Sequence, residues 1–376
     1  MLGKSLLGIK KIFSLEFVVD YFDRSRDFYV EKMGFCETHR STPEWENKFN
    51  SKGVYLKSNN IRILVSTPKA PNSYTAEYLK ILPPGIRRAN FQVEDLDSAV
   101  KHLETHGATF IHPVKEIKHE GSTWRFTTIA TPMGFLEFTF FEIDGDEDDI
   151  PMFERLESSK AKCSLFDVID HLTINARTLF PVTSFFEHVM DFKSYWKVSF
   201  HTPDHQSGQK GTGLASRVMW DPGSRIKFAS NEPLYPHYND SQIQTFVLKN
   251  RGPGIQHAAL TVNDIVEATR NLRGKGIEFL HTPSSYYRLL SDRLKNQGVE
   301  NIKESIADLE EQGILVDGKD EAYLLQIFLK DASEFYHDDQ AGPFFFEIIQ
   351  RRGHDGFGEG NFKALFEAIE LQETAV

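Results

Sequence analysis

The chain has 376 residues, 40% of them hydrophobic, and a formal net charge of -11, which is enough apolar material for more than one core and a length that points to two domains. Without a basic excess there is little to release counterions from phosphate, so nucleic acid and anionic membrane are excluded as partners and a small molecule is expected. No apolar run approaches the roughly 20 residues needed to span a bilayer, and the short opening stretch with lysines behind it does not resemble a secretory signal, so a cytoplasmic location is expected.

In chain order, the first strand is expected over Ser14 to Val19, with a helix after it that ends at the Met33-Gly34-Phe35 turn. A second pair follows, strand Ala89 to Val93 and helix Leu96 to His106, and the half closes on strand Phe135 to Phe141. The acidic run Glu142 to Pro151 and the aperiodic stretch after Glu157 read as a solvated linker over 144–162, between domains 1–143 and 163–376. The second half has strand Val168 to Ile174, a helix ending at Met190-Asp191-Phe192, strand Gln256 to Val262, helix Ile265 to Lys275 and a last strand Phe344 to Gln350. Ahead of that strand lies a helix-favouring insertion, Tyr286 to Gln312, which Gly313 is suited to stop. The chain closes with Gly356-Phe-Gly-Glu-Gly-Asn361 and a helix on which Phe362, Leu365, Phe366 and Ile369 share one face, with Asn361 as the expected N-cap. Cys36 and Cys163, one in each half, offer neither a disulfide framework nor a thiolate cluster and read as ordinary thiols.

The halves are copies of one module. Gly85, Ile86, Val93, Asp95, Leu103, Gly107 and Phe110 recur without a gap as Gly254, Ile255, Val262, Asp264, Leu272, Gly276 and Phe279. Strands outnumber helices, so the class is α+β, each copy being paired βαβββ units whose sheet curls around a concave face with helices outside. The alignment sets His257 against Arg88, His171 against the Ser14 to Glu16 region and Glu347 against Glu137. Only the second copy therefore has two imidazoles and a carboxylate.

Two His and one carboxylate on one face of a metal leave three adjacent positions open, the arrangement that non-haem Fe(II) oxygenases use. His171, His257 and Glu347 fit it, each from a different strand of a curled sheet. Nearby, Gln242, Gln256 and Gln326 lie in apolar strand contexts, with Ser216 and Asn231 upstream. Amides buried among apolar side chains need partners, either each other or a hydroxylated ligand.

Asp170-His171, Asn231-Glu-Pro233 with Ser241-Gln-Ile243, Gly254-Ile-Gln-His257, Leu324-Leu-Gln-Ile-Phe328, Phe346-Glu-Ile-Ile-Gln-Arg351 and Gly356-Phe-Gly-Glu-Gly-Asn-Phe362 together resemble the 4-hydroxyphenylpyruvate dioxygenase family of the vicinal-oxygen-chelate superfamily. The resemblance is dense in the second half and rests mainly on module pattern in the first. It implies two vicinal-oxygen-chelate domains, the first structural and without metal, the second holding Fe(II) on His171, His257 and Glu347 under a C-terminal lid helix. It implies 4-hydroxyphenylpyruvate and O2 as substrates, with the keto acid chelating the iron, and homogentisate and CO2 as products, in tyrosine breakdown. Ser216, Asn231, Gln242, Gln256 and Gln326 would form the polar network around the substrate, and Phe328, Phe345, Phe357, Asn361, Phe362 and Leu365 the pocket wall. A homo-oligomer, dimer or tetramer, is expected. The alternatives are the sister activity that converts the same substrate to 4-hydroxymandelate, against which Phe362 speaks, and a related module that only binds. Ala229, where the family usually has proline, and Thr173, where an apolar residue is usual, are departures from the pattern.

Overall fold

Period-two alternation splits each strand between two faces, and that split positions the site. In the strand Phe345–Arg352, Phe346 and Ile348 enter an apolar core while Phe345, Glu347 and Ile349 line a cavity. A computed structural model describes residues 6–157, 163–203, 210–358 and 360–361, so Phe362, Leu365 and the expected lid helix lie outside the described residues.

The first half contributes β1 (Ile9–Val18), β2 (Cys36–Ser41), β3 (Ser51–Ser58), β4 (Ile61–Pro68), β5 (Gly85–Val93), β6 (Phe110–His119), β7 (Ser122–Ala130), β8 (Glu137–Asp144) and β9 (Phe153–Arg155). They form one sheet in the order β6-β7-β8-β5-β1-β4-β3-β2-β9. The second half contributes β10 (Ile169–Asn175), β11 (Lys193–Pro203), β12 (Lys210–Trp220), β13 (Lys227–Pro233), β14 (Gly254–Thr261), β15 (Leu315–Lys319), β16 (Ala322–Phe328) and β17 (Phe345–Arg352), ordered β11-β12-β13-β10-β14-β17-β16-β15. In each sheet two parallel pairs, β1/β4 with β5/β8 and β10/β13 with β14/β17, meet at an antiparallel seam, β1/β5 and β10/β14. Each sheet is thus a pair of βαβββ units, as expected from the repeat.

The shared residues Asp95 and Asp264 have matching jobs. Each caps the helix that follows, Leu96–Thr105 and Ile265–Gly274, by accepting from backbone N–H groups of its first turn. The insertion folds into helices Ser284–Arg288, Leu290–Asn296 and Ile306–Gln312, the last stopped by Gly313 in the left-handed region at φ 71°. The outer faces of the two sheets share one core, in which Phe17 meets Phe344 at 4.9 Å and Phe138 meets Phe228 at 5.6 Å between ring centroids. Among the described residues no helix is long and apolar enough to cross a membrane.

Two expectations are corrected. The stretch read as a solvated linker carries β9, which pairs with β2 at the edge of the first sheet, and it buries Ile150 and Phe153. Two of its acids are paired with the first sheet: Arg62 contacts Glu147 at 3.0 Å and Asp148 at 2.5 Å, and Lys11 meets Glu147 at 2.6 Å. Cys36 and Cys163 are joined as a disulfide, their Cα atoms 5.7 Å apart. Cys163 lies beside the first sheet, where the Asn59 N–H donates to its carbonyl at 2.9 Å, so cysteines distant in sequence become neighbours.

Candidate metal centre

His171 and Glu347 stand opposite the same residue, Ala259, on either side of β14. Ala259 is small, so two larger side chains converge across it, while His257 enters from β14 itself. Glu347 Oε2 lies 3.3 Å from His171 Nε2 and 3.4 Å from His257 Nε2, and the three donors fall within 4.8 Å of one another. All three side chains are buried, at 5%, 6% and 3% exposure for His171, His257 and Glu347.

The second ring nitrogens are also held. His171 Nδ1 lies 2.8 Å from Asp170 Oδ1 and His257 Nδ1 lies 3.1 Å from Gln256 Oε1. Asp170 Oδ1 and Gln256 Oε1 both accept from the tautomer protonated at Nδ1, which is the one that frees Nε2 to meet a metal. Gln256 reaches this position because the β10/β14 register skips it: Thr173 pairs with His257 and Ile174 with Ile255. A bulge of this kind redirects a side chain beside a site. Burial opposes charge on both imidazoles; Glu347 and Asp170 more than reverse it for His171, whereas His257 stays below its ordinary value. Burial alone would raise the Asp170 carboxyl, but Arg351 and His171 hold it well below the usual range.

A cavity opens over this group, lined by His171, His257 and Glu347. Of the other residues singled out in the sequence, Asn231, Gln242, Gln256, Gln326, Phe328, Phe345 and Phe357 line it too. Phe345 stacks on His257 at 4.9 Å, Phe328 stands edge-on to it at 6.0 Å, and Phe357 lies 5.0 Å from the His171 ring. Gly358 brings this loop against Gln326, where a φ of 66° calls for glycine. Asn231 Oδ1 and Ser216 Oγ are buried without a hydrogen-bond partner.

Several placements differ from expectation. Gln242 is not in a strand: it opens the helix Gln242–Lys249, which Ser241 caps and which buries Ile243, Phe246 and Val247 at helical spacing. Ser216 pairs with Asn231 across β12/β13 without being among the cavity-lining residues. Asn361 is not among them either. Its amide is 2.7 Å from the Tyr286 hydroxyl, and it is not the N-cap, because Gly360 is already helical and donates its N–H to Asp317 Oδ2 at 3.0 Å. Thr173, Leu214, Ala229, Ile243 and Ile349 complete the lining; alternation in β10, β13 and β17 could have found Thr173, Ala229 and Ile349.

The first sheet shows what a cup without this donor set becomes. By strand register Glu347 corresponds to Thr139, not to Glu137, since Ala259 pairs with Glu347 where Asn90 pairs with Thr139. The sequence alignment had slipped by two residues, which leaves every side chain on the same face and so goes unnoticed by pattern. Glu137 instead joins Arg87, Arg88 and the fully buried Glu16 in an ion network, and Trp45, Tyr55, Trp124 and Phe153 belong to a separate apolar cluster of the same half. Among the described residues, His171, His257 and Glu347 are the single group arranged to hold a metal ion. One carboxylate and two imidazoles with preset tautomers suit a divalent first-row ion, and iron is among those that accept this set.

A profile of the Glyoxalase/Bleomycin resistance protein/Dioxygenase superfamily matches residues 11–137 and again residues 168–305. The 4-hydroxyphenylpyruvate dioxygenase of Dictyostelium discoideum is 32% identical over 354 residues, 92% of this chain and 93% of that protein. The 4-hydroxyphenylpyruvate dioxygenase of Caenorhabditis briggsae is 33% identical over 371 residues, 96% of this chain and 91% of that protein. Among solved structures, a triple mutant of 4-hydroxymandelate synthase from Streptomyces coelicolor superposes with a TM-score of 0.83 at 25% identity, over 97% of this chain and 99% of that one.

Proposed function

This chain belongs to the 4-hydroxyphenylpyruvate dioxygenase family of the glyoxalase and dioxygenase superfamily, and from that premise we propose that it is an Fe(II)-dependent dioxygenase of tyrosine breakdown, converting 4-hydroxyphenylpyruvate and O2 to homogentisate and CO2. The observation that carries this reading is the buried convergence of His171, His257 and Glu347 with both imidazole Nδ1 atoms occupied. Fe(II) bound there supplies O2 activation and the oxidative decarboxylation of a chelating 2-keto acid. The atoms balance: the carboxyl group of the keto acid leaves as CO2, and the two oxygen atoms of O2 end on the new side-chain carboxyl and on the ring.

The chain's own residues bind, orient and exclude water. Asp170 and Gln256 hold the imidazoles in the tautomer that presents Nε2. Phe328 and Phe345 against His257, with Phe357 against His171, wall the reacting end and keep water out. Asn231, Gln242 and Gln326 present polar groups to the phenolic ring, and the unpartnered Asn231 Oδ1 is ready to accept from its hydroxyl. The expected homo-oligomeric assembly is open to light scattering.

The runner-up is 4-hydroxymandelate formation from the same substrate, favoured by the superposition on 4-hydroxymandelate synthase. Oxygen uptake with Fe(II) and 4-hydroxyphenylpyruvate, followed by chromatography of the product, separates the readings. Homogentisate is expected. 4-Hydroxymandelate would transfer the assignment to the sister activity, and ligand binding without oxygen uptake would make the chain a binding protein.

A further inference from the structure

Arg351 lies in β17, the strand of Glu347, and none of the catalytic steps above uses it. Its guanidinium has two separate duties. Nε and Nη2 donate to Asp170 Oδ2 and Oδ1 at 2.6 and 2.7 Å, and that same Oδ1 accepts from His171 Nδ1. Nη1 turns the other way and donates to the carbonyls of His354 at 2.7 Å and Gly356 at 2.8 Å. Gly356 immediately precedes Phe357, whose ring faces His171 and stacks on Trp196 at 5.9 Å and 22°. One side chain therefore grips the carboxylate that orients a candidate metal ligand and the turn that carries a cavity wall. An arginine is needed for both at once, because its planar fork can serve a carboxylate along one edge and carbonyls along another, whereas a lysine is a single point of charge.

We propose that Arg351 is a positioning residue that couples the orientation of His171 to the placement of Phe357, so that metal binding and the setting of the cavity wall are one event. This rests on the reading that His171, His257 and Glu347 take a divalent metal. Metal-free protein is titrated with Co(II) by calorimetry, and the emission of Trp196, isolated by difference against Trp196→Phe, reports the wall. In the wild type Co(II) binding should shift Trp196 emission.

Arg351→Met and Arg351→Lys should both bind Co(II) about ten- to a hundred-fold more weakly, and both should lose the Trp196 response. Asp170→Asn should weaken Co(II) binding while leaving the metal-free Trp196 emission as in the wild type, because Arg351 still holds the turn. The Lys variant carries the test if the Met variant does not fold by circular dichroism. Wild-type Co(II) affinity in a folded Arg351 variant, or weakened affinity with the Trp196 response intact, overturns the coupling. Should the wild type bind no Co(II), the reading of the metal centre fails instead; Trp196 emission identical in metal-free wild type and Arg351 variants then overturns the tie to the wall as well.

Discussion

Arg88 in the first sheet holds the strand position that His257 holds in the second, and its guanidinium donates to Glu137 at 2.7 Å. With Glu16 3.5 Å away and Arg87 alongside, a fixed side-chain cation occupies the first cup where the second gathers metal donors. Arg88→Met leaves the buried Glu16 and the half-buried Glu137 to Arg87 alone, so a stability loss of about 3–5 kcal/mol is expected, with metal content unchanged. Urea unfolding and elemental analysis read the two effects, and loss of metal in this variant would assign a metal role to the first sheet.

Removing a donor from the second sheet should do the reverse. His257→Ala and Glu347→Ala are each expected to abolish iron loading, to under about a tenth of an equivalent per chain, while far-UV circular dichroism stays native. Retained iron in His257→Ala would remove that residue from the site.

Acid should weaken the first half through Glu16. Burial raises its carboxyl, but Arg88 and Arg87, with hydrogen bonds from Tyr74 and Ser66, more than offset this and hold it below the ordinary range. A group depressed in this way adds stability that is complete above its unfolded value of about 4.3 and is lost as pH falls through the folded value. Urea midpoints should therefore fall as pH is lowered past about 4.3, and Glu16→Gln, less stable at neutral pH, should fall less steeply there. Equal slopes would clear Glu16 of the effect.

The bridge between Cys36 and Cys163 closes a loop with a sequence separation of 127, and loop entropy makes it worth up to about 5 kcal/mol. Cys36→Ser, or reductant added to the wild type, should lower the unfolding midpoint by the same amount. Protein denatured without reductant should show no titratable thiol; two thiols would remove the bond from the account.

The faces of the strands were legible residue by residue. In β17 the alternation of Phe346 and Ile348 with Phe345 and Glu347 is written in local order, and so is the contrast between His257 and Arg88 in otherwise matching stretches. The insertion's stop at Gly313 was equally local, since a left-handed φ follows from the residue itself. Gln242 was misassigned to a strand because its neighbours are apolar, although Ser241 as N-cap and the spacing of Ile243, Phe246 and Val247 signal a helix.

Residue type and periodicity by themselves determined that this chain is a duplicated sheet module and that its second copy alone has two imidazoles and a carboxylate for a shared concave face. Only the tertiary structure decided that Thr139 rather than Glu137 answers to Glu347, that Ala259 leaves room between His171 and Glu347, that Asp170 is held by Arg351, and that Cys36 meets Cys163. The reason is physical: side-chain direction follows from backbone geometry within a few residues, whereas cross-strand register and long-range proximity depend on how separate segments pack, and a two-residue slip preserves every facing that a local pattern can register.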